Sequence, residues 1–328
     1  MDLRELSKTH MELNMCMLGA RSVGKTTIMT AIFDDSRSSN GLSKSKIALT
    51  AQSDTRAELL ARKLDLQEVF DEKKDIVDAG IAASSAVHTF NFEMGLLGRT
   101  PCINFNVTDY PGEFIQSNAE FVSEQIAQSS VVLIAIDSPY LMEQNAQYNE
   151  ERNQVSFIYN YLKDNVDAFS NKLIMLVPLK CEKYFYQNRM DELNARVQDC
   201  YANIIDLFAN TDNVAVVITP ILTMGGVEFD RFELKDGKHI AKYAFIKDNP
   251  QFTPMFCIQP MYYMMSFIAQ QYKQHRNDTG IIGAILQRIF DVIDKNEELF
   301  EEFLTLAKYR MVDRCGYSVL SGENLLYN

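Results

Sequence analysis

Disulfide and zinc chemistry are poorly provided for in this sequence. Its six cysteines (Cys16, Cys102, Cys181, Cys200, Cys257 and Cys315) include no C-x-x-C pair, and several lie inside apolar runs, the pattern of reduced, buried thiols. Its four histidines are scattered, so no zinc site is expected. No apolar stretch is as long as a membrane span, and the opening MDLRELSKTH lacks the apolar core of a signal peptide. A cytoplasmic location is the expectation from these absences. Basic runs are missing as well. Lys and Arg total 32 against 44 Asp and Glu, and the net charge of −12 argues against a nucleic-acid-binding surface. What remains is globular: 47% hydrophobic and 23% charged residues supply ample core, and 328 residues suit one enlarged domain or two ordinary ones.

The chain is organised around residues 13–27, LNMCMLGARSVGKTT. A short apolar run leads to Gly19, then four residues, then Gly24, Lys25 and Thr26. This is the spacing G-x-x-x-x-G-K-[ST] of a phosphate-binding loop set between a strand and a helix. Glycines let such a loop curl so that successive N–H groups face a phosphate, and the helix that follows adds its positive end. Gly19, Ala20, Arg21, Ser22, Val23, Gly24, Lys25, Thr26 and Thr27 therefore form the expected nucleotide-binding stretch. Lys25 is expected to reach the outer phosphates, and the Thr26 hydroxyl to ligate Mg²⁺.

Residues 1–12 read as a polar lead-in. The first strand, about 13–18, is followed by the loop and by a helix, TTIMTAIFDD, with a polar end at 36–43. An insertion then occupies roughly 36–85. Thr55 and Glu58 form a T-x-x-E capping box, behind which Leu59, Leu60, Leu64 and Phe70 recur at helical spacing. A packing helix is the plainer reading; an element tied to a nucleotide-sensing switch is the alternative. Residues 87–97 and 101–109 are strands with one wet face. In the first, Phe90, Phe92 and Met94 alternate with polar residues; in the second, Ile103, Phe105 and Val107 do so. The short LLGRTP connection makes them an antiparallel hairpin, which ends in Asp109-Tyr110-Pro111-Gly112-Glu113, a D-x-x-G sequence at the strand end where ligands of α/β sheets gather.

A phosphate-binding (Walker A) loop, an antiparallel hairpin and then D-x-x-G resemble the TRAFAC class of P-loop GTPases. The nearest likeness is to divergent bacterial members of the double-GTPase-like group, over about residues 13–275. The resemblance implies that Asp109 holds Mg²⁺ through water and that the Gly112 amide touches the γ-phosphate. It also places Glu113 where Ras-like members carry a water-orienting glutamine. Arg21 falls where those loops commonly carry glycine. It either points inward as an arginine finger in cis or outward into solvent, the plainer reading. The switch I threonine has no clear match; Ser84, Ser85 and, less well, Thr50 are its candidates. Where the family has N-K-x-D, this chain has Leu179-Lys180-Cys181-Glu182. Lys180 is expected to lay its stem over the base and Glu182 to accept from a guanine edge, with the Asn/Thr lost and the carboxylate one methylene longer.

Ser117 and Glu120 read as a second capping box opening a helix to about 128. Apolar runs at 131–137, 172–179 and 213–220, separated by helical stretches at 145–166 and 188–209, mean parallel strands covered on both faces. A second insertion, 224–258, contains a hairpin turning at Asp236-Gly237. The Met- and aromatic-rich run 260–273 is a core helix, and helices near 281–293 and 297–311 follow, with Leu299, Phe300, Phe303, Leu304 and Ala307 on one face. That pair either packs back or docks a partner. The expected fold is α/β, a three-layer αβα P-loop NTPase with a mostly parallel sheet and one antiparallel hairpin strand. A helical extension over 276–320 and a frayed tail over 321–328 complete it. The expected function is a Mg²⁺-dependent switch or slow GTPase binding GTP and GDP, with ATP not excluded. The alternatives are a nucleotide sensor without turnover and a divergent ATPase. A protein partner or regulator and a homo-oligomer are compatible with this reading.

Overall fold

The computed structural model describes residues 11–20, 22–36, 42–72, 76–77, 87–246, 251–277 and 284–327. Most of the lead-in, Arg21, Ser84 and Ser85 lie outside the described residues. In chain order the elements begin with β1 (Met11–Leu18), α1 (Lys25–Ser36), β2 (Ile47–Ala51), α2 (Ser53–Asp71), β3 (Ile76–Val77), β4 (His88–Leu96) and β5 (Ile103–Asp109). There follow α3 (Phe114–Ser117), α4 (Ala119–Gln128), β6 (Val131–Asp137), α5 (Ser138–Met142), α6 (Asn149–Asn153), α7 (Val155–Asp164) and β7 (Leu173–Leu179). Then come α8 (Glu182–Tyr186), α9 (Met190–Cys200), α10 (Ala202–Ala209), β8 (Ala215–Ile218), β9 (Val227–Lys235) and β10 (Lys238–Phe245). The chain closes with α11 (Gln259–Asn277), α12 (Ala284–Ile293), α13 (Glu297–Ala307) and β11 (Ser318–Ser321).

Eight strands form one sheet in the order β11-β8-β7-β6-β1-β5-β4-β2. The pairings from β5 through β1, β6 and β7 to β8 are parallel. These are the near-continuous apolar runs, and the reason is burial on both faces. In β6, Val131, Leu133 and Ala135 enter one core, while Val132, Ile134 and Ile136 enter the other. The first core packs under α1 and α11–α13, the second under α4 and α7–α10, so the molecule has the three αβα layers expected.

β4 and β5 pair antiparallel, with Phe92 opposite Phe105, as their period-two alternation requires. Two further strands were not expected. β2 adds to β4, and β11 adds to β8, both antiparallel. Part of the stretch read as a frayed tail is packed instead: Leu325 and Leu326 are buried, and Ser266 Oγ donates to the Leu326 carbonyl at 2.6 Å.

Neither capping box forms. α2 starts at Ser53 after Gln52, with no side-chain cap, because the Thr55 hydroxyl accepts from Asn91 N–H at 2.9 Å and Glu58 pairs with Arg62. The buried face of α2 is Thr55, Leu59, Leu66 and Phe70; Leu60 and Leu64 are exposed. Ser117 ends α3, donating to the Glu113 carbonyl at 3.0 Å, and α4 begins afresh behind Asn118.

The second insertion is a hairpin, β9–β10, whose turn residues Asp236 and Gly237 both have positive φ. β3 joins it to make a separate three-stranded sheet. α11 is the core helix expected, with Met261 through Ala269 buried. α12 and α13 pack back on the sheet through Ile289, Phe290, Leu299 and Phe303.

Candidate functional site

The parallel pairing of β1 with β5 puts Met17 opposite Asp109, so the end of β5 lies beside the loop that leaves β1. That loop turns at two glycines. Gly19 has φ +141°, and a Cβ there would stand 3.0 Å from the Ala135 carbonyl oxygen, so the loop hugs β6 at that point. Gly24, with φ +112°, makes the entry into α1. Between them Ser22 is left-handed at φ +59°.

Lys25 opens α1 and is buried. Its Nζ donates to the carbonyls of Gly19 and Ala20, at 2.9 and 3.1 Å, and so spans the loop. Burial pushes its pKa down, opposed by the charges of Asp109 and then Glu113. Thr26 Oγ1 donates to Asp109 Oδ2 at 2.6 Å. Asp109 is also buried, which pushes its pKa up against the nearby Lys25 charge and the Thr26 hydrogen bond. Its second oxygen, Oδ1, is buried with no hydrogen-bond partner among the described residues. A hydroxyl and a carboxylate in contact, with one carboxylate oxygen still available, suit a hard, oxygen-seeking divalent cation. Gly112 is buried, and Glu113 is exposed immediately before α3. Val23 is buried and Thr27 half-buried, one on each side of the Gly24–Thr26 turn.

Lys180 comes to the loop from the end of β7. Its Nζ lies 3.4 Å from the Ser22 carbonyl and 2.6 Å from Asp137 Oδ2. Glu182 does not join it in an open base pocket. It is 2% exposed, and its Oε1 accepts from the backbone N–H groups of Met224 and Gly225, at 2.7 and 3.1 Å. The extra methylene carries the carboxylate into the turn that follows β8, where it serves the backbone. Thr50 is exposed on β2, at the sheet edge three strands from β1. Asp137 and Arg152 belong to the loop's surroundings but carry no motif. Asp137 had one legible signal, a charge closing an apolar parallel strand; Arg152 had none.

No protein-family model and no curated protein matches the chain. Among solved structures it is similar to the S. cerevisiae Ski7 GTPase-like domain bound to GDP and inorganic phosphate. The identity is 18%, the TM-score 0.39, and the match covers 68% of this chain and 46% of that one. The same domain bound to GTP matches at 17% identity and TM-score 0.39, over 68% and 45% of the two chains. Sup35 complexed with GDP matches at 10% identity and TM-score 0.31, over 68% and 40%. The chain thus spans less than half the length of the solved chains it matches.

Proposed function

We propose that the chain is a Mg²⁺-dependent guanine-nucleotide-binding protein of the P-loop GTPase type, acting as a switch or slow GTPase. The observation that carries the reading is the buried Lys25 ammonium spanning the Gly19–Gly24 loop, with the Thr26–Asp109 pair directly beside it. A triphosphate entering the loop meets the N–H donors of a curled backbone, the N-terminal end of α1 and a cation already desolvated by the fold. Thr26 and Asp109 would hold Mg²⁺, which when bound neutralises charge on the outer phosphates. By the resemblance to P-loop GTPases, Gly112, three residues beyond Asp109, would follow the γ-phosphate and Glu113 would hold water near it.

Guanine preference rests on the same resemblance of the motif order: Lys180 faces Asp137 and the Ser22 carbonyl, and Glu182 is committed to the Met224 and Gly225 amides. The test begins with the nucleotide that co-purifies, released by denaturation and separated by ion exchange. Calorimetry with GTP, GDP and ATP follows on wild type and Lys25→Ala. GTP is expected to bind, and the variant to lose at least tenfold, about 1.4 kcal/mol. Undiminished binding to Lys25→Ala removes the loop as the site. Binding without phosphate release makes the protein a sensor rather than an enzyme.

A further inference from the structure

Two charged side chains behind the phosphate loop take no part in the reading above. Asp137 closes β6 and is fully buried; its Oδ2 accepts from Lys180 Nζ at 2.6 Å and from Arg152 Nε at 3.2 Å. Both cations also reach one loop atom, the Ser22 carbonyl oxygen, Arg152 Nη2 at 2.9 Å and Lys180 Nζ at 3.4 Å. The anion is itself fixed. Asn153 Oδ1 accepts from Asp137 N–H at 2.8 Å, and Asn153 Nδ2 donates to the Asp137 carbonyl at 3.2 Å. Arg152 and Asn153 end the short helix α6, and the Arg152 guanidinium lies over the Tyr140 ring, 5.1 Å from its centre. Two cations from separate elements thus converge on one peptide of the loop, with the carboxylate of a third element held between them.

That peptide is strained and consequential. Ser22 adopts φ +59°, which a side-chain-bearing residue keeps only when its surroundings over-determine it. A trans peptide is planar, with its C=O and N–H antiparallel. The Ser22 carbonyl and the Val23 N–H are the two ends of one such plane. Drawing the carbonyl toward two cations aims the Val23 N–H the opposite way, away from the charge cluster. A guanidinium is suited to this because it donates through separate nitrogens to carboxylate and carbonyl at once, which an ammonium does less directionally.

We infer that Asp137 and Arg152 are positioning residues of the phosphate loop, which with Lys180 clamp the Ser22 carbonyl and thereby orient the Val23 N–H for phosphate. The inference rests on the reading of the loop as a nucleotide site, and its test has an arm that needs no nucleotide. In the full chain freed of nucleotide, amide hydrogen exchange is followed in Arg152→Met, Arg152→Lys and Asp137→Asn. Peptides covering 19–24 are expected to exchange at least tenfold faster in Arg152→Met, with those of β7, β8 and α10 unchanged. Titration with GTP, GDP and ITP should then show equal losses of tenfold or more, since a loop contact is blind to the base. Arg152→Lys, which keeps a charge, should recover part of both effects. Should Arg152→Met fail to fold, Arg152→Lys and Asp137→Asn carry the same comparisons at smaller and comparable size. Loop exchange equal to wild type in a folded variant overturns the clamp, as does exchange that rises uniformly across the sheet. If the wild type binds none of the three nucleotides, the reading of the site falls, while loop exchange still decides whether the clamp holds Ser22.

Discussion

Thr26 Oγ1 and Asp109 Oδ2 meet at 2.6 Å although 83 residues separate them in sequence. The contact is made by the β1–β5 pairing, which delivers the end of one strand to the first turn of the helix that follows the other. If one metal shell uses both, losses on removing either partner overlap rather than add. Thr26→Ala and chelation with EDTA are each expected to weaken GTP binding, and the two together to weaken it little further. Calorimetry of the four combinations measures this, and simple addition of the losses would mean that no metal is shared.

The pH dependence of stability has a legible contribution from Lys172. It is buried, donates to the Ser129 and Ala127 carbonyls, and burial lowers its pKa to about 8. An unfolded lysine keeps its proton to about 10.4. Between these values the native state binds fewer protons, so this side chain adds stability as pH rises; below about 8 its buried charge costs about 3 kcal/mol. The thiols of Cys16, Cys181 and Cys257 work the other way, since burial keeps them protonated after unfolded thiols ionise. The informative quantity is therefore a difference. Lys172→Met is expected to lose about 2–3 kcal/mol relative to wild type between pH 7 and pH 10. Parallel pH profiles in urea unfolding would mean that Lys172 titrates normally in the fold.

Much of the sheet was legible because burial writes itself into period and composition. The alternation of Phe90, Phe92 and Met94 and the unbroken run at Val131–Asp137 each have one structural solution. The loop was legible through spacing alone. β2 and β11 were not, because short edge strands carry mixed, half-exposed residues with no clear period. The T-x-x-E box failed because such a match is only four residues long and each side chain found another partner: Thr55 the Asn91 amide on β4, and Glu58 the Arg62 guanidinium one turn on in α2. Arg152 stayed invisible because its role depends on where α6 lies against the loop.

The packed chain end follows the same logic and yields its own expectation. Leu325 and Leu326 are 3% and 2% exposed, against the core that α11 closes. Replacing either with alanine is expected to destabilise the protein by about 2–5 kcal/mol. Urea midpoints unchanged from wild type would show that these residues fray in solution.

Glu182 separates two roles that a sequence motif confuses. A carboxylate that reads guanine must face the base with acceptors to spare. Here the side chain is sequestered, and one of its oxygens serves two backbone amides of the turn after β8. Burial raises its pKa while those same hydrogen bonds hold it down, the behaviour of a carboxylate used internally. Glu182→Ala leaves both amides without that acceptor, at about 1–3 kcal/mol each. The melting temperature should therefore fall, and GTP and ATP affinities should fall by equal factors as the turn loosens. Glu182→Gln keeps an acceptor oxygen and should lose less of both. A base-reading role predicts the reverse pattern, a loss for GTP alone with the melting temperature unmoved. Thermal unfolding paired with GTP-against-ATP competition distinguishes them, and a GTP-only loss would return Glu182 to the base pocket.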